Sequence, residues 1–99
     1  MVISIFRSRL RSDNAEEFDA LAGKMMKLAE AMPGFLSYKV YVSDDGERCS
    51  IIEFDSHEHL LAWRNLPEHR RAQQIGRERY YERYSLHVTD PVRESHFER

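Results

Sequence analysis

The order in which two kinds of hydrophobic periodicity follow one another limits the fold of this chain more than any other feature. Residues 2–10 ("VISIFRSRL") and 35–42 ("FLSYKVYV") are rich in β-branched and aromatic side chains, which predicts two strands. Between them, apolar residues recur at three- and four-residue steps, as on one face of a helix: Phe18, Leu21, Ala22, Met25, Leu28, Ala29 and Met32. Ser12 or Asp13 is expected to cap this helix, and Pro33-Gly34 is expected to end it.

The second half of the chain repeats the alternation in a different arrangement. "SDDGE" is typical of a hairpin turn, with Gly46 free to adopt a positive φ, and residues 48–54 are predicted to return as a strand. Ser56 is expected to cap a second helix. Pro67 interrupts that helix and is expected to start a further helical segment that runs to about Gly76. Residues 80–88 ("YYERYSLHV") are predicted to form the last strand.

The resulting order, β-α-β-β-α-β, predicts an α+β fold of the ferredoxin-like type, with both helices on one face of an antiparallel sheet. The 99 residues are expected to form one domain over 1–90, followed by a polar tail over 91–99 in which Val92 and Phe97 are possible anchors. The other face of the sheet is left bare, so we expect a homodimer in which two sheets pack together.

Composition narrows the function. The net charge of −2 gives no general attraction to nucleic acid, and no apolar run approaches the ~20 residues that span a bilayer. The amino terminus does not resemble a signal peptide, so a cytoplasmic protein is expected. Cys49 is the only cysteine, and the five histidines form no i, i+4 ligand pair, so neither a metal nor another cofactor is expected.

Several short motifs, taken in order, resemble the antibiotic biosynthesis monooxygenase (ABM) family of dimeric α/β-barrel proteins. They are Pro33-Gly34-Phe35, the hairpin ending in Glu53-Phe54, Ser56 with the helix leading to Trp63, Leu66-Pro67-Glu68-His69-Arg70, and Gly76-Arg77 before the tyrosine-rich strand. The resemblance covers nearly the whole chain. It implies a ferredoxin-like homodimer, and an activity that is either cofactor-free oxidation of polycyclic phenols or heme degradation.

The heme-degrading branch of that family implies three residues, of which this chain matches one. Trp63 matches the helical Trp, but Ser8 stands where an Asn is expected and Gln73 lies near the place of the axial His. Oxidation of a small phenol or quinol-like aromatic by O₂ is therefore the favoured activity. A homodimer that binds a small ligand or a partner without catalysis is the alternative.

The candidate site lies in residues 62–84. Phenol oxidation needs a clamp for a flat ring, a proton acceptor and a cation for the oxyanion. His69, Trp63 and Arg77 are the candidate catalytic residues, and Tyr81, Tyr84 and Arg83 are the candidate substrate-binding residues. His69 is chosen because an ordinary imidazole titrates near neutrality. Each residue also has a structural explanation: aromatic side chains pack in cores, and arginines among glutamates form a solvated face.

Overall fold

A computed structural model describes all 99 residues and has the predicted order of elements. A single π-helical turn, which the sequence did not predict, joins the last α-helix to the last strand. The elements are β1 (Val2–Leu10), α1 (Ala15–Glu30), β2 (Phe35–Val42), β3 (Arg48–Phe54), α2 (His57–Arg64), α3 (Pro67–Ile75), the π turn (Gly76–Tyr80) and β4 (Tyr81–Thr89).

The four strands form one antiparallel sheet in the order β2-β3-β1-β4, and the helices pack on one of its faces. This is the ferredoxin-like α+β arrangement that the sequence predicts. The buried core lies between sheet and helices and joins side chains from β1, α1, β3 and α2: Val2, Met25, Ala29, Ile52, Phe54, Leu60 and Trp63. None of the helices combines the length and the apolar character that crossing a bilayer requires.

The alternation of β1 decides what the helix-facing side of the sheet offers. Val2, Ser4, Phe6 and Ser8 point toward the helices, whereas the intervening residues point to the open face. Three serines, Ser4, Ser8 and Ser50, are buried on the helix-facing side. The floor beneath the helices therefore carries hydroxyl groups where a purely structural core would carry methyl groups.

Two irregularities in register bring unexpected pairs of aromatic side chains onto that same side. Phe35 pairs with Phe54 and Ser37 with Glu53, so Leu36 is an extra residue that bulges out of β2 and is exposed. Alternation along β2 predicts that Leu36 shares a face with Tyr38, and this prediction is wrong: Phe35 and Tyr38 share it.

A second register shift lies in β4, where Leu10 pairs with Tyr81 but Arg9 pairs with Arg83. Glu82 is the extra residue, so Tyr81 and Tyr84 both face the helices although they are three positions apart.

The start of α1 and the carboxyl-terminal tail also differ from expectation. Neither Ser12 nor Asp13 caps α1: the cap position is Asn14, in the left-handed region at φ 61°, and its side chain bonds no helix amide. The Asp13 carboxylate instead accepts from Arg11 at 3.2 Å. In the tail, Val92 and Phe97 are fully or largely exposed, so neither acts as an anchor within this chain.

The second helical region follows the sequence closely. The Ser56 hydroxyl accepts from the backbone N–H of His59 at 3.2 Å, which caps α2 as predicted. Pro67 begins α3, where its missing N–H costs nothing, because the first amides of a helix have no intrahelical partner. The break at Asn65-Leu66 turns the chain so that residues on both α2 and α3 lie over the sheet.

Candidate functional site

The helices and the sheet enclose a cavity of about 240 Å³. This is slightly below the ~300–1,000 Å³ typical of ligand pockets, so the cavity suits a small ligand. Most of its lining is apolar, and no carboxylate takes part. The sheet provides Ser4, Phe6, Ser8, Tyr38, Arg48, Ser50, Ile52, Tyr81, Tyr84 and Leu86; the helical elements provide Phe18, Leu21, Ala22, Met25, Trp63, Arg64, His69, Ala72, Gln73, Arg77 and Tyr80.

Trp63 lies at one end of this cavity, which we call the indole end, and its ring is held on several sides. The indole N–H donates to the backbone carbonyl of Met25 at 3.2 Å, and the ring stacks on Phe54 at 5.9 Å between centroids. Tyr38 meets it edge-on at 6.0 Å. A buried indole with its single donor satisfied is a rigid wall. Trp63 therefore packs in the core and also lines the cavity.

His69 stands beside Trp63, with their ring centroids 4.3 Å apart and their planes at 74°. Its Nδ1 is buried and has no hydrogen-bond partner. Burial, helped by the nearby positive charge of Arg64, lowers the pKa of His69 to about 4. The imidazole is therefore neutral at physiological pH. A neutral ring nitrogen that is buried without a partner costs free energy in a folded protein.

The opposite end of the cavity, which we call the tyrosine end, is built by the π turn and β4. Phe6 packs against Tyr81 and Tyr84 at 5.5 and 5.1 Å between ring centroids. Burial, with the neighbouring tyrosines, raises the pKa of Tyr81 to about 12. The Arg77 guanidinium donates to the Tyr84 hydroxyl at 3.4 Å. This end therefore presents phenol hydroxyls and a guanidinium above an aromatic base.

Gly76 explains how closely the Tyr81 ring approaches the helix. A Cβ at position 76 would lie 2.4 Å from Cε2 of that ring, so only glycine leaves room for it. The π turn is in turn fixed to α1 by the Glu17 carboxylate, which accepts from Arg79 at 2.9 Å and from the Tyr80 hydroxyl at 3.3 Å. These contacts set the position of the tyrosine end relative to the indole end.

The distance between the two ends can be followed along two helical segments, which give similar values. His69 and Arg77 are eight residues apart on one helical path, or about 12 Å at the α-helical rise. On α1, Phe18 contacts Tyr81 and the Met25 carbonyl binds Trp63, which gives about 10 Å. The two ends are therefore about 10–12 Å apart along these backbones, and they offer different groups.

Of the six residues that the sequence singled out, five line this cavity: Trp63, His69, Arg77, Tyr81 and Tyr84. Arg83 does not. It pairs with Arg9, whose neighbour Ser8 faces the helices, so Arg83 points to the open face of the sheet. This correction follows from the bulge at Glu82 and from the alternation of β4 after it. Arg77 lines the cavity at the tyrosine end, about two helical turns from His69.

Sequence reasoning missed the sheet's own contribution to the site. Tyr38, Arg48 and Ser50 come from β2 and β3, outside the stretch that drew attention, and burial raises the pKa of Tyr38 against the opposing effect of the Arg48 charge. Arg64 was also missed, although it stands next to Trp63 in sequence. Serines at alternating positions in β1 are the signal that could have identified the floor.

The residues at the indole end can be compared with what metal or heme binding needs. No three His, Cys, Asp or Glu side chains come close enough together to hold a metal ion. Gln73 does line the cavity, but a carboxamide is not among the usual axial ligands of heme iron. The chain therefore departs from the heme-degrading pattern at the position of Gln73. The neutral imidazole of His69 beside a rigid aromatic wall suits proton transfer.

Comparison with known proteins agrees with the fold and with the motifs. The model of the antibiotic biosynthesis monooxygenase family matches residues 1–75. The chain belongs to this family. The uncharacterized protein YqjZ of Bacillus subtilis is 30% identical over 95 residues, which cover 96% of this chain and 83% of that protein.

Solved structures of the same architecture include both close and distant matches. Rv0793 from Mycobacterium tuberculosis superposes with a TM-score of 0.83 at 26% identity, covering 96% of this chain and 98% of its own. SnoaB, a cofactor-independent oxygenase from Streptomyces nogalater, superposes with a TM-score of 0.77 at 13% identity, covering 94% of each chain. At that identity the likeness to SnoaB is one of fold.

Proposed function

We propose that this ABM-family protein is a cofactor-independent monooxygenase that oxidises a small phenol or quinol-like aromatic with O₂. The observation that carries the proposal is the indole end of the cavity, where a neutral, unpartnered imidazole stands edge-on to a rigid indole. The fold shared with SnoaB, itself a cofactor-independent oxygenase, supports the same chemistry. The cavity lining offers no carboxylate or thiol that would compete with His69 for the role of base.

The proposed reaction balances without an added reductant. Deprotonation of the phenol gives an electron-rich phenolate, which passes one electron to O₂. The aryloxyl radical and superoxide combine at the ring carbon opposite the oxygen, forming a C–O bond. The resulting peroxide anion takes up the proton to become a hydroperoxide. The hydroperoxide loses its OH group together with the ring hydrogen as water, which leaves a second carbonyl. One oxygen atom enters the quinone and the other leaves as water; the electrons come from the substrate.

His69 would accept the phenol proton in the first step. Its low pKa makes it a weak base in the empty protein, but a phenolate formed beside it stabilises the imidazolium and raises that pKa. Arg64, whose charge already acts on His69, would share in stabilising the phenolate oxygen. The proton then stays close enough to return to the leaving hydroperoxide oxygen, so the same imidazole serves as base and acid.

The aromatic lining would hold the ring and keep water out. Trp63 and Tyr38 form an L-shaped wall at the indole end, while Phe6, Tyr81 and Tyr84 continue it toward the other end. Aromatic walls exclude bulk solvent from the phenolate, which strengthens each electrostatic contact it makes. A bound superoxide would be protected from water for the same reason.

The test is oxygen uptake with a panel of anthrones and dihydroquinones. We expect His69→Ala to lower kcat/KM by roughly 10²–10⁴-fold, the usual contribution of a general base. His96→Ala is the matched control, since His96 is exposed in the tail and should leave the rate unchanged. If His69→Ala does not change the rate of oxygen uptake, the protein is better described as one that binds a ligand without catalysis.

We also propose that the working unit is a homodimer joined through the open sheet face. Ile3, Ile5 and Ile51 lie on that face, and Tyr41 beside them is half exposed. Apolar side chains gathered on one flat face favour association with a second copy. Sedimentation velocity at micromolar concentration should give a species of twice the 11.8 kDa chain mass; a monomer would refute the proposal.

A further inference from the structure

Three arginines line the cavity without a carboxylate partner. Five arginines outside it, Arg70, Arg71, Arg83, Arg93 and Arg99, are unpaired as well, so what sets the three apart is their place in a cavity that has no Asp or Glu. Four arginines elsewhere bind carboxylates at 3.2 Å or less: Arg7, Arg9, Arg11 and Arg79. The three that line the cavity, Arg48, Arg64 and Arg77, have no ion pair, and the lining contains no Asp or Glu. Asp19 shares a shallow neighbouring groove with Arg48, yet no ion pair within 4 Å joins them. The positive charge of the cavity is therefore not neutralised by the protein.

Two of these arginines contribute to a polar row at the tyrosine end. Ser8 of β1 lies directly opposite Arg48 of β3 and opposite Tyr84 of β4, so the three side chains project from neighbouring strands toward the helices. Arg77 reaches the row from above, with its guanidinium at 3.4 Å from the Tyr84 hydroxyl. The Arg48 guanidinium lies over the Phe18 ring, 4.9 Å from its centroid, which holds it at the cavity wall.

The rows nearer the indole end differ in character. The next helix-facing row contains Ser50, Phe6 and Leu86, and the row beyond it contains Ile52, Ser4 and Val88. Both have one serine and no charge. The row of Ser8, Arg48 and Tyr84 thus lies about 13 Å along β1 from the row of Ser4, which continues through Ile52 to Tyr38. The Arg48 charge acts on Tyr38 as well, so Arg48 extends from its own row toward the indole end.

From this arrangement we infer that the substrate is an aromatic carboxylate, bound with its carboxylate on Arg48, Arg77, Ser8 and Tyr84 and its phenolic ring at Trp63 and His69. Guanidiniums and hydroxyls are donors, and a carboxylate offers the acceptor oxygens that they lack. A single phenolate cannot use both ends of the cavity, whereas a two-ring hydroxyaryl acid can. The anionic group also fixes which end of the molecule faces His69. The inference rests on the proposed function for the identity of the ring end.

The test compares matched ligands by isothermal titration calorimetry. The probes are 5-hydroxy-2-naphthoate and its neutral amide, which have the same rings, differ in the charge and keep a C–H bond at the ring carbon opposite the hydroxyl. Wild-type protein should bind the acid at least about tenfold more tightly than the amide, the smaller end of what a charge-assisted pair contributes. Arg48→Met and, independently, Arg77→Met should reduce that preference to about threefold or less, because the charged acid loses more binding than the neutral amide. Arg77 is exposed, so its replacement does not endanger folding.

Arg83→Met is the matched control, since it removes a guanidinium from β4 on the other face of the sheet. It should keep the full preference for the acid. Equal binding of acid and amide, no heat from the acid at millimolar concentration, or an equal loss in Arg83→Met would each overturn the inference. Oxygen uptake separates it from the proposed function. If the acid binds selectively through Arg48 but no oxygen is consumed, the carboxylate site is supported and the oxygenase is refuted. If oxygen is consumed only with neutral phenols, the oxygenase is supported and the carboxylate site is refuted.

Discussion

His69 makes acid sensitivity of the fold a quantitative prediction. Its pKa is about 4 in the folded protein, against about 6.5 for an ordinary imidazole. The unfolded chain therefore binds a proton more readily than the folded one at mildly acidic pH. By linkage, the stability that neutral His69 preserves is fully present above pH 6.5 and is lost as the pH falls toward 4. Replacing His69 with Phe keeps an aromatic ring beside Trp63 and removes the titration.

The magnitude follows from the two pKa values. Between pH 7.5 and pH 4.5 the wild type should lose roughly 2.5 kcal/mol of unfolding free energy through this group, at about 1.4 kcal/mol for each unit of the difference in pKa. His69→Phe should lose none of that part. Asp45, whose pKa is lowered to about 2 by hydrogen bonds from Ser43 and its neighbours, acts mainly below this window and is common to both proteins. The difference between the two proteins isolates His69.

The assay is urea unfolding followed by the fluorescence of Trp63, the only tryptophan. Both proteins are compared at four pH values and at one protein concentration, because association would make the midpoint concentration-dependent. Equal loss of stability in wild type and His69→Phe between pH 7.5 and 4.5 would refute the reasoning. So would an imidazole midpoint near 6.5 for His69 by NMR titration, since that would mean that the ring is well solvated.

Three further predictions test the architecture around the cavity. Gly76→Ala should destabilise the fold by about 1–3 kcal/mol, because the added Cβ would meet the Tyr81 ring. Gly23→Ala is the control: it has open space around it and should be neutral or stabilising, so equal effects of the two changes in urea unfolding would contradict the close approach at Gly76. Ser56→Ala should lower the free energy of unfolding by about 0.5–2 kcal/mol, whereas Ser12→Ala should not, since only Ser56 caps a helix. A larger loss for Ser12→Ala than for Ser56→Ala in the same assay would contradict the observed caps. Tyr81→Phe should match the wild type in near-ultraviolet titration up to about pH 11, given a Tyr81 pKa of about 12, and a difference already at pH 10 would show that the phenol is solvated.

The fold was readable from the sequence because it depends on patterns that local chemistry enforces. Four sequence features each favour one local structure: the alternating strands, the apolar helical stripe, Gly46 in the hairpin and Pro67 at a helix start. The cap of α1 failed for a specific reason: Asp13, which the sequence offers as a cap, forms an ion pair with Arg11 instead, and the chain enters the helix through a left-handed Asn14. Either outcome suits the same residues, so propensity could not decide between them.

The site was only half readable, because it depends on which face of the sheet each strand residue occupies. Strict alternation puts Tyr81 and Tyr84 on opposite faces, and it separates Phe35 from Tyr38 in the same way. One extra residue in each strand, Glu82 and Leu36, reverses this and turns both rings of each pair toward the helices. A bulge has no reliable local signature, so the sequence could name the tyrosines but not the reason that both line the cavity, and it misplaced Arg83 for the same reason.

The alternation of β1 bears directly on the nature of the ligand. Val2 and Phe6 are apolar on the helix-facing side, so the serines between and after them occupy positions that a stable core would fill with Val or Ile. None of their hydroxyl oxygens is buried without a hydrogen-bond partner, so each either reaches the cavity or is already bonded. Stability alone gives no reason to keep Ser4 and Ser8 on a strand whose other helix-facing residues are fully apolar, and a cavity whose ligand accepts hydrogen bonds does. Arg48, which faces the same cavity from β3 without an ion pair, gives a similar indication for charge. The ligand, rather than the core, therefore best explains the polarity of this face.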